Sequence, residues 1–258
     1  IFAGGDSGSK TNVTEEWSTP STFTQINLGQ VYFNSGSNAF KVTQLSAPTG
    51  TWASGGSLNT GKYQLGTAGT QTATLAFGGS TPPFTSTNES YNGTSWTELS
   101  DLNLLRDGLG SAGTQTAALG FGGQNSGGMV SNNETWNGSS WTEIADLNSN
   151  KKFMIGTGNS NIAALSIGGY DGSYTANVEN WNGSSWTEIA NINTARGYIA
   201  GIGTPADAIA ISGQSGTNVE LWDGSSWTET TEYNSPRGQG AASGTTSTAA
   251  LFFGGEPG

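Results

Sequence analysis

The chain has 258 residues, of which 41 are glycine and 9 tryptophan; only 10% are charged, and the formal net charge is −11. An apolar share of 33% spread among Thr, Ser, Asn and Gly excludes an ordinary helical core and points to short strands joined by tight turns. The acidic field repels phosphate backbones and anionic membranes, so nucleic acid is not an expected partner, and no uninterrupted apolar stretch approaches the length of a membrane-spanning helix, so no membrane insertion is expected. With no His and no Cys there is also no zinc, copper or haem ligand set and no Ser-His or Cys-His pair, so no metal, cofactor or catalytic residue is expected.

In chain order, Ile1-Phe2-Ala3-Gly4-Gly5 is an apolar run closed by a glycine pair, and Leu251-Phe252-Phe253-Gly254-Gly255 repeats it at the other end. The match predicts a segment of a longer array. Thr14-Glu15-Glu16-Trp17 and Thr22-Phe23-Thr24-Gln25-Ile26 read as closing strands, so residues 1–28 are assigned to a preceding or shared unit. Residues 29–59 form an atypical first unit, with a hairpin of Val31 to Asn34 and Ala39 to Thr43 and a strand around Trp52.

From there the chain is periodic. Trp52, Trp96, Trp141, Trp186 and Trp227 stand 44, 45, 45 and 41 residues apart. Upstream of each later tryptophan an apolar run ends in a glycine pair, as in TLAFGG to Gly79, ALGFGG to Gly123 and ALSIGG to Gly169, with AIAISGQ to Gln214 as the weak copy. Glu89-x-Tyr91, Glu134-x-Trp136, Glu179-x-Trp181 and Glu220-x-Trp222 follow. Then come Asn92-Gly93, Asn137-Gly138, Asn182-Gly183 and Asp223-Gly224, which predict type I′ hairpin turns. Each unit thus holds four short strands. A four-stranded sheet of this size cannot bury both faces alone, but a radial arrangement covers them and leaves only short edges. The predicted fold is an all-β propeller of four-stranded antiparallel blades. Regular blades span about 60–101, 102–146, 147–191 and 192–232, with an incomplete last blade at 233–258. Six blades are expected, with five or seven as alternatives.

A glycine pair after an apolar strand, an aromatic, a tryptophan at fixed offset and a basic residue opening the next unit together resemble the kelch repeat, from about Thr51 to Gly255. The near-identical copies GTQTATLAFGG and GTQTAALGFGG, with NGSSWTEIADLN, resemble more narrowly the kelch-like proteins of marine tailed bacteriophages. The stretch from Gly29 to Val42 is similar to the hairpin that introduces such propellers. That resemblance implies a structural part of a tail fibre or other virion appendage, located on the virion or outside the cell, with other fibre subunits and a host surface glycan as partners.

Chemistry is sought where the repeat breaks. Glu98, Glu143, Glu188 and Glu229 occupy equivalent outer-strand positions and read as solvated edge charges. Lys62, Arg106, Lys151, Arg196 and Arg237 each follow an asparagine by three residues and precede a glycine by seven. They would either form a cationic ring near one channel mouth, capturing an acidic sugar or other small anion, or pair with a neighbouring carboxylate or aromatic ring within each blade. The loops after the glycine pairs vary while their strands do not. There Phe84, Gln124, Met129, Tyr170, Asp171 and Tyr174 are candidate ligand-binding residues, aromatics to stack on sugar rings and polar groups beside them; solvent-exposed loops free to drift explain the same variation. Asp171-Gly172-Ser173 and Asp223-Gly224-Ser225 lack the further carboxylates of a Ca²⁺ loop and read as turns. The expected function is therefore a non-enzymatic receptor-binding appendage. Its alternatives are a purely architectural unit in a tandem-propeller fibre and a polysaccharide-degrading enzyme, for which Asp107, Asp171, Asp207 and Glu232 are the unrepeated carboxylates.

Overall fold

A computed structural model describes residues 2–3, 14–18, 31–34, 39–42, 51–214 and 216–257. Every regular element among them is a strand. The first complete blade consists of Gly66–Thr70, Ala73–Phe77, Asn88–Tyr91 and Trp96–Leu99, each antiparallel to the next. The second is Gly110–Thr114, Ala117–Phe121, Asn133–Trp136 and Trp141–Ile144. The third is Ile155–Ser160, Ala163–Ile167, Val178–Trp181 and Trp186–Ile189, and the fourth Ala200–Thr204, Asp207–Ile211, Val219–Trp222 and Trp227–Glu229. A half-blade of Ala241–Thr246 and Ala249–Phe253 follows. The first strands of successive blades lie against one another. Together they line a central cavity of about 900 Å³. This is a β-propeller.

The sequence of each strand follows from its place. The second strand is covered on both faces, so Leu75, Ala76 and Phe77 are all fully buried and the run is continuously apolar. The fourth strand is the outer edge and is buried only at its start: Trp141 is buried while Thr142 and Glu143 are exposed. The core lies between blades. Leu75 and Phe77 of the first blade pack with Ala118, Trp136 and Trp141 of the second, and Leu119 and Phe121 of the second with Ala164, Trp181 and Trp186 of the third. Ring centroids of Phe77 and Trp141 stand 4.7 Å apart, and those of Phe121 and Trp186 4.8 Å. Interlocking of this kind means no blade holds its core alone.

Glycine meets two needs. Gly79 and Gly123 are left-handed, and a Cβ on either would stand 2.8 Å from the Tyr63 carbonyl oxygen or 2.6 Å from that of Asp107, so the glycine pairs do mark close backbone approach. The hairpin turns differ from the expectation. Only the glycine is left-handed in each, as at Gly93 (φ 91°), so these are not type I′ turns. Tyr91 pairs with Trp96 across a four-residue connection, and Asn92 Oδ1 accepts the amides of Thr94 and Ser95 at 3.0 and 2.9 Å. The asparagine is selected as a side-chain acceptor.

The N-terminal assignment is also corrected. Thr14–Ser18 pairs with Phe2–Ala3 on one side and Thr51–Ser54 on the other, and Trp17 stands opposite Trp52 as Trp136 stands opposite Trp141. These are the second, third and fourth strands of one blade, whose sheet runs across the expected boundary at 28. Residues 29–59 are therefore not a blade of their own. Val31–Asn34 and Ala39–Val42 form a separate two-stranded sheet that interrupts it. The strand expected from Thr22 to Ile26 lies outside the described residues.

Candidate functional site

The repeated basic residues do not form a ring in the channel. Lys62, Arg106, Lys151 and Arg196 are buried, none lines the cavity, and each pairs with the glutamate of its own blade's third strand. Lys62 is 3.5 Å from Glu89, Arg106 3.2 Å from Glu134 and Lys151 2.8 Å from Glu179; Arg196 hydrogen-bonds Glu220. The asparagine three residues earlier completes the knot: Asn148 donates its backbone amide and its side-chain amide to Glu179 Oε2 at 2.9 and 2.7 Å. Burial pushes the Lys62, Lys151 and Arg106 cations below their ordinary values, opposed by the adjacent glutamate. These ions staple the linker onto its blade. Arg237, in the half-blade, is exposed and donates to the Gly254 carbonyl at 3.2 Å.

Two residues beyond each cation the chain turns toward the channel. Gln64, Phe153, Tyr198 and Gln239 occupy this position in left-handed conformation, with φ from 54° to 59°, and Gly108 holds it in the second blade at 62°. All five line the cavity. Backbone bonds link them from blade to blade: Gly108 N donates to Gln64 O at 2.9 Å, Phe153 N to Gly108 O at 2.8 Å and Tyr198 N to Phe153 O at 2.8 Å. Left-handed non-glycine residues are strained, and their recurrence at one position goes with these blade-to-blade bonds. The backbone repeats while the side chain changes.

The variable loops reach this same mouth. Backbone bridges join Tyr63 to Ser80, Asp107 to Gln124 and Lys152 to Tyr170, which sets each loop beside the residue preceding the left-handed one. Between the second and third blades they build a cluster that is not repeated. Lys152 Nζ donates to Gln124 Oε1 at 2.6 Å and lies 4.6 Å from the Phe153 ring centroid and 5.7 Å from that of Tyr170. Gln124 also exchanges both backbone hydrogen bonds with Asp107, at 3.0 and 2.9 Å, and burial pushes the Asp107 carboxyl up. Asp107 is 4% exposed, and its Oδ1 has no hydrogen-bond partner among the described residues. Phe153 stacks on Tyr198 at 4.1 Å between centroids, and Tyr170 meets Tyr174 edge-on at 5.3 Å. A Cβ on Gly108 would stand 2.8 Å from the Phe153 ring and one on Gly197 3.1 Å from that of Tyr174, so both glycines make room for an aromatic seat.

Of the expected binding residues, Gln124, Tyr170 and Tyr174 are thus brought together. Met129 pairs with Gln124 in a two-residue strand but is held there by its backbone. Phe84 bridges to Ser80 in the first blade's loop, and Asp171 lies on an exposed turn whose carboxylate accepts the Ser173 amide at 3.3 Å. Asp107, Lys152, Phe153 and Tyr198 join this cluster without having been among the expected binding residues. Their one signal was that the two positions after each repeated cation read Tyr-Gln, Asp-Gly, Lys-Phe, Gly-Tyr and Gly-Gln, an abrupt loss of repetition inside a repeated motif.

No protein family and no curated protein matches the chain. Among solved structures, one titled "Structure of YjhT" is similar with a TM-score of 0.69, covering 82% of this chain and 82% of that chain at 14% identity. The likeness is one of fold.

Proposed function

We propose that the protein is a non-enzymatic, receptor-binding propeller of a phage virion appendage, kelch-like in its repeats, which holds a host surface polysaccharide at the channel mouth. The observation that carries this reading is the gathering of unrepeated aromatic and polar side chains on one mouth of an otherwise repetitive frame. Aromatic faces with a few fixed polar groups suit sugar rings, whose C–H faces stack while their hydroxyls are bonded at the edge. The virion assignment rests on the resemblance of the repeats. In support of the non-enzymatic part, the unrepeated carboxylates are dispersed: Asp107 is at the mouth, Asp171 on an exposed turn, Asp207 opens a second strand, and Glu232 accepts the Thr217 hydroxyl. A glycosidase needs two carboxyls across one bond.

The test is to pass the protein over immobilised bacterial surface polysaccharides while assaying each for new reducing ends. Retention without cleavage, lost when 80–87 and 170–176 are replaced by Gly-Ser, is the expected outcome. Absence of retention on every polymer would favour the architectural unit, and release of reducing ends would favour the enzyme.

A further inference from the structure

We infer that the cleft between the second and third blades at the mouth is a subsite for an uncharged pyranose that presents two adjacent hydroxyls; this rests on the reading of the mouth as a glycan-binding face. Lys152 has three N–H donors, and one is given to Gln124. Asp107 Oδ1 is a buried acceptor with nothing to accept among the described residues. Leaving such a group unpaired is costly, so the cleft is matched to a ligand that donates to Asp107 and accepts from Lys152. A hydroxyl does both.

Gln124 links the two residues, its side-chain oxygen accepting from Lys152 at 2.6 Å and its backbone paired with that of Asp107 at 2.9 and 3.0 Å, and so sets them close enough to serve neighbouring hydroxyls of one ring. A carboxylated sugar would meet the Asp107 carboxylate and a molecule of net charge −11, while an amino sugar would meet the Lys152 ammonium. The half-buried ring of Tyr198, backed by Phe153, offers the apolar face, and Tyr174, 40% exposed, stands beside it. Left-handed backbone at Phe153 and Tyr198 turns both rings into the channel lining. Such strain is maintained where a side chain has to be aimed.

The experiment measures affinity electrophoresis of the full chain in gels containing dextran, yeast mannan or a neutral galactan, and in parallel gels containing alginate or polygalacturonate. Parent protein should be retarded by at least one neutral polymer. Lys152→Gln and Asp107→Asn should each weaken that retardation about tenfold, the effect of removing a hydrogen bond to a charged group. Tyr198→Gly keeps the left-handed backbone and its amide bond to Phe153 while removing the ring, so it should abolish retardation with an undiminished urea midpoint. Retardation by a neutral polymer that survives all three substitutions would overturn the subsite and leave the broader reading standing, as would retardation by acidic polymers alone. Retardation by no polymer would overturn both.

Discussion

Replacing Glu179 by glutamine tests the claim that the repeated ions hold each blade together. Lys151 and Glu179 are both fully buried at 2.8 Å, a separation worth about 6 kcal/mol of attraction at an effective dielectric constant near 20. Desolvation offsets most of that in the intact pair. Removing only the carboxylate leaves the ammonium with the Asn177 Oδ1 acceptor at 3.0 Å and no adjacent counter-charge, which costs about 3–5 kcal/mol. Glutamine retains an oxygen for the two Asn148 donors, so the loss isolates the charge. Adding Lys151→Met removes the stranded cation, and the double variant should recover at least half of the lost stability. Burial already pushes the Lys151 ammonium below its ordinary value. Without Glu179 that shift is opposed only by the more distant Asp171 and Glu188, so the single variant should gain stability as pH rises toward the unfolded lysine value. Urea unfolding followed by tryptophan fluorescence, compared at constant m, measures each step. A loss below about 1 kcal/mol for the single variant, or a double variant no better than the single, would refute a role for charge pairing in blade stability.

Gly113→Ala sets a Cβ 2.2 Å from the Ala117 carbonyl oxygen at φ 106° and should cost several kcal/mol in urea unfolding, whereas Gly172→Ala, left-handed but with open space around it, should cost only about 1 kcal/mol. Amides of Ser226 and Ser225 and the Ser225 hydroxyl hold the Asp223 carboxyl down to about 2. Its contribution is present above the unfolded aspartate value and lost as pH falls toward 2, so Asp223→Asn, which copies Asn137 and Asn182, should leave neutral-pH stability unchanged and flatten the acid limb. Asp107 has the opposite shift, from burial first, with Gln124 and Lys152 opposing. Its folded form therefore holds its proton above the unfolded value, and stability declines as pH rises from that value through the folded one. Polysaccharide retention should fall on acidification at a higher pH than an ordinary aspartate would give, and Asp107→Asn should remove that dependence.

Much of the frame was legible because it repeats. The tryptophan spacing, the glycine pairs and the Glu-x-Trp step each fix a strand, and four copies leave little room for another arrangement. Position in the repeat was easier to read than role. Lys62, Arg106, Lys151 and Arg196 were correctly seen as one structural position, but sequence order does not say whether a side chain at the start of a first strand turns to the channel or back into its blade. The answer depends on Glu89, Glu134, Glu179 and Glu220, some 24 to 28 residues away, reaching the same place through the fold. Left-handed backbone was hidden for a different reason: Gln, Phe and Tyr carry no mark of it, and the hydrogen bonds that impose it come from the neighbouring blade. At the N-terminus the hairpin inserted between Trp17 and Trp52 stretched one blade past the usual period, and so made it look like two.

The links between left-handed residues have a consequence for how such a surface can change. Because the bonds that join adjoining blades there run through amide and carbonyl groups, the backbone of the position does not depend on which side chain it carries, while facing side chains such as Phe153 and Tyr198 have to change together. Each of the four complete blades closes on its own ion knot, and the walls it offers to either side are almost the same as those of the other three. A mouth can then be rewritten by shuffling whole blades, and gene segments as alike as these recombine readily. The monotony of the frame is what leaves the few side chains at its opening free to be rearranged as a set.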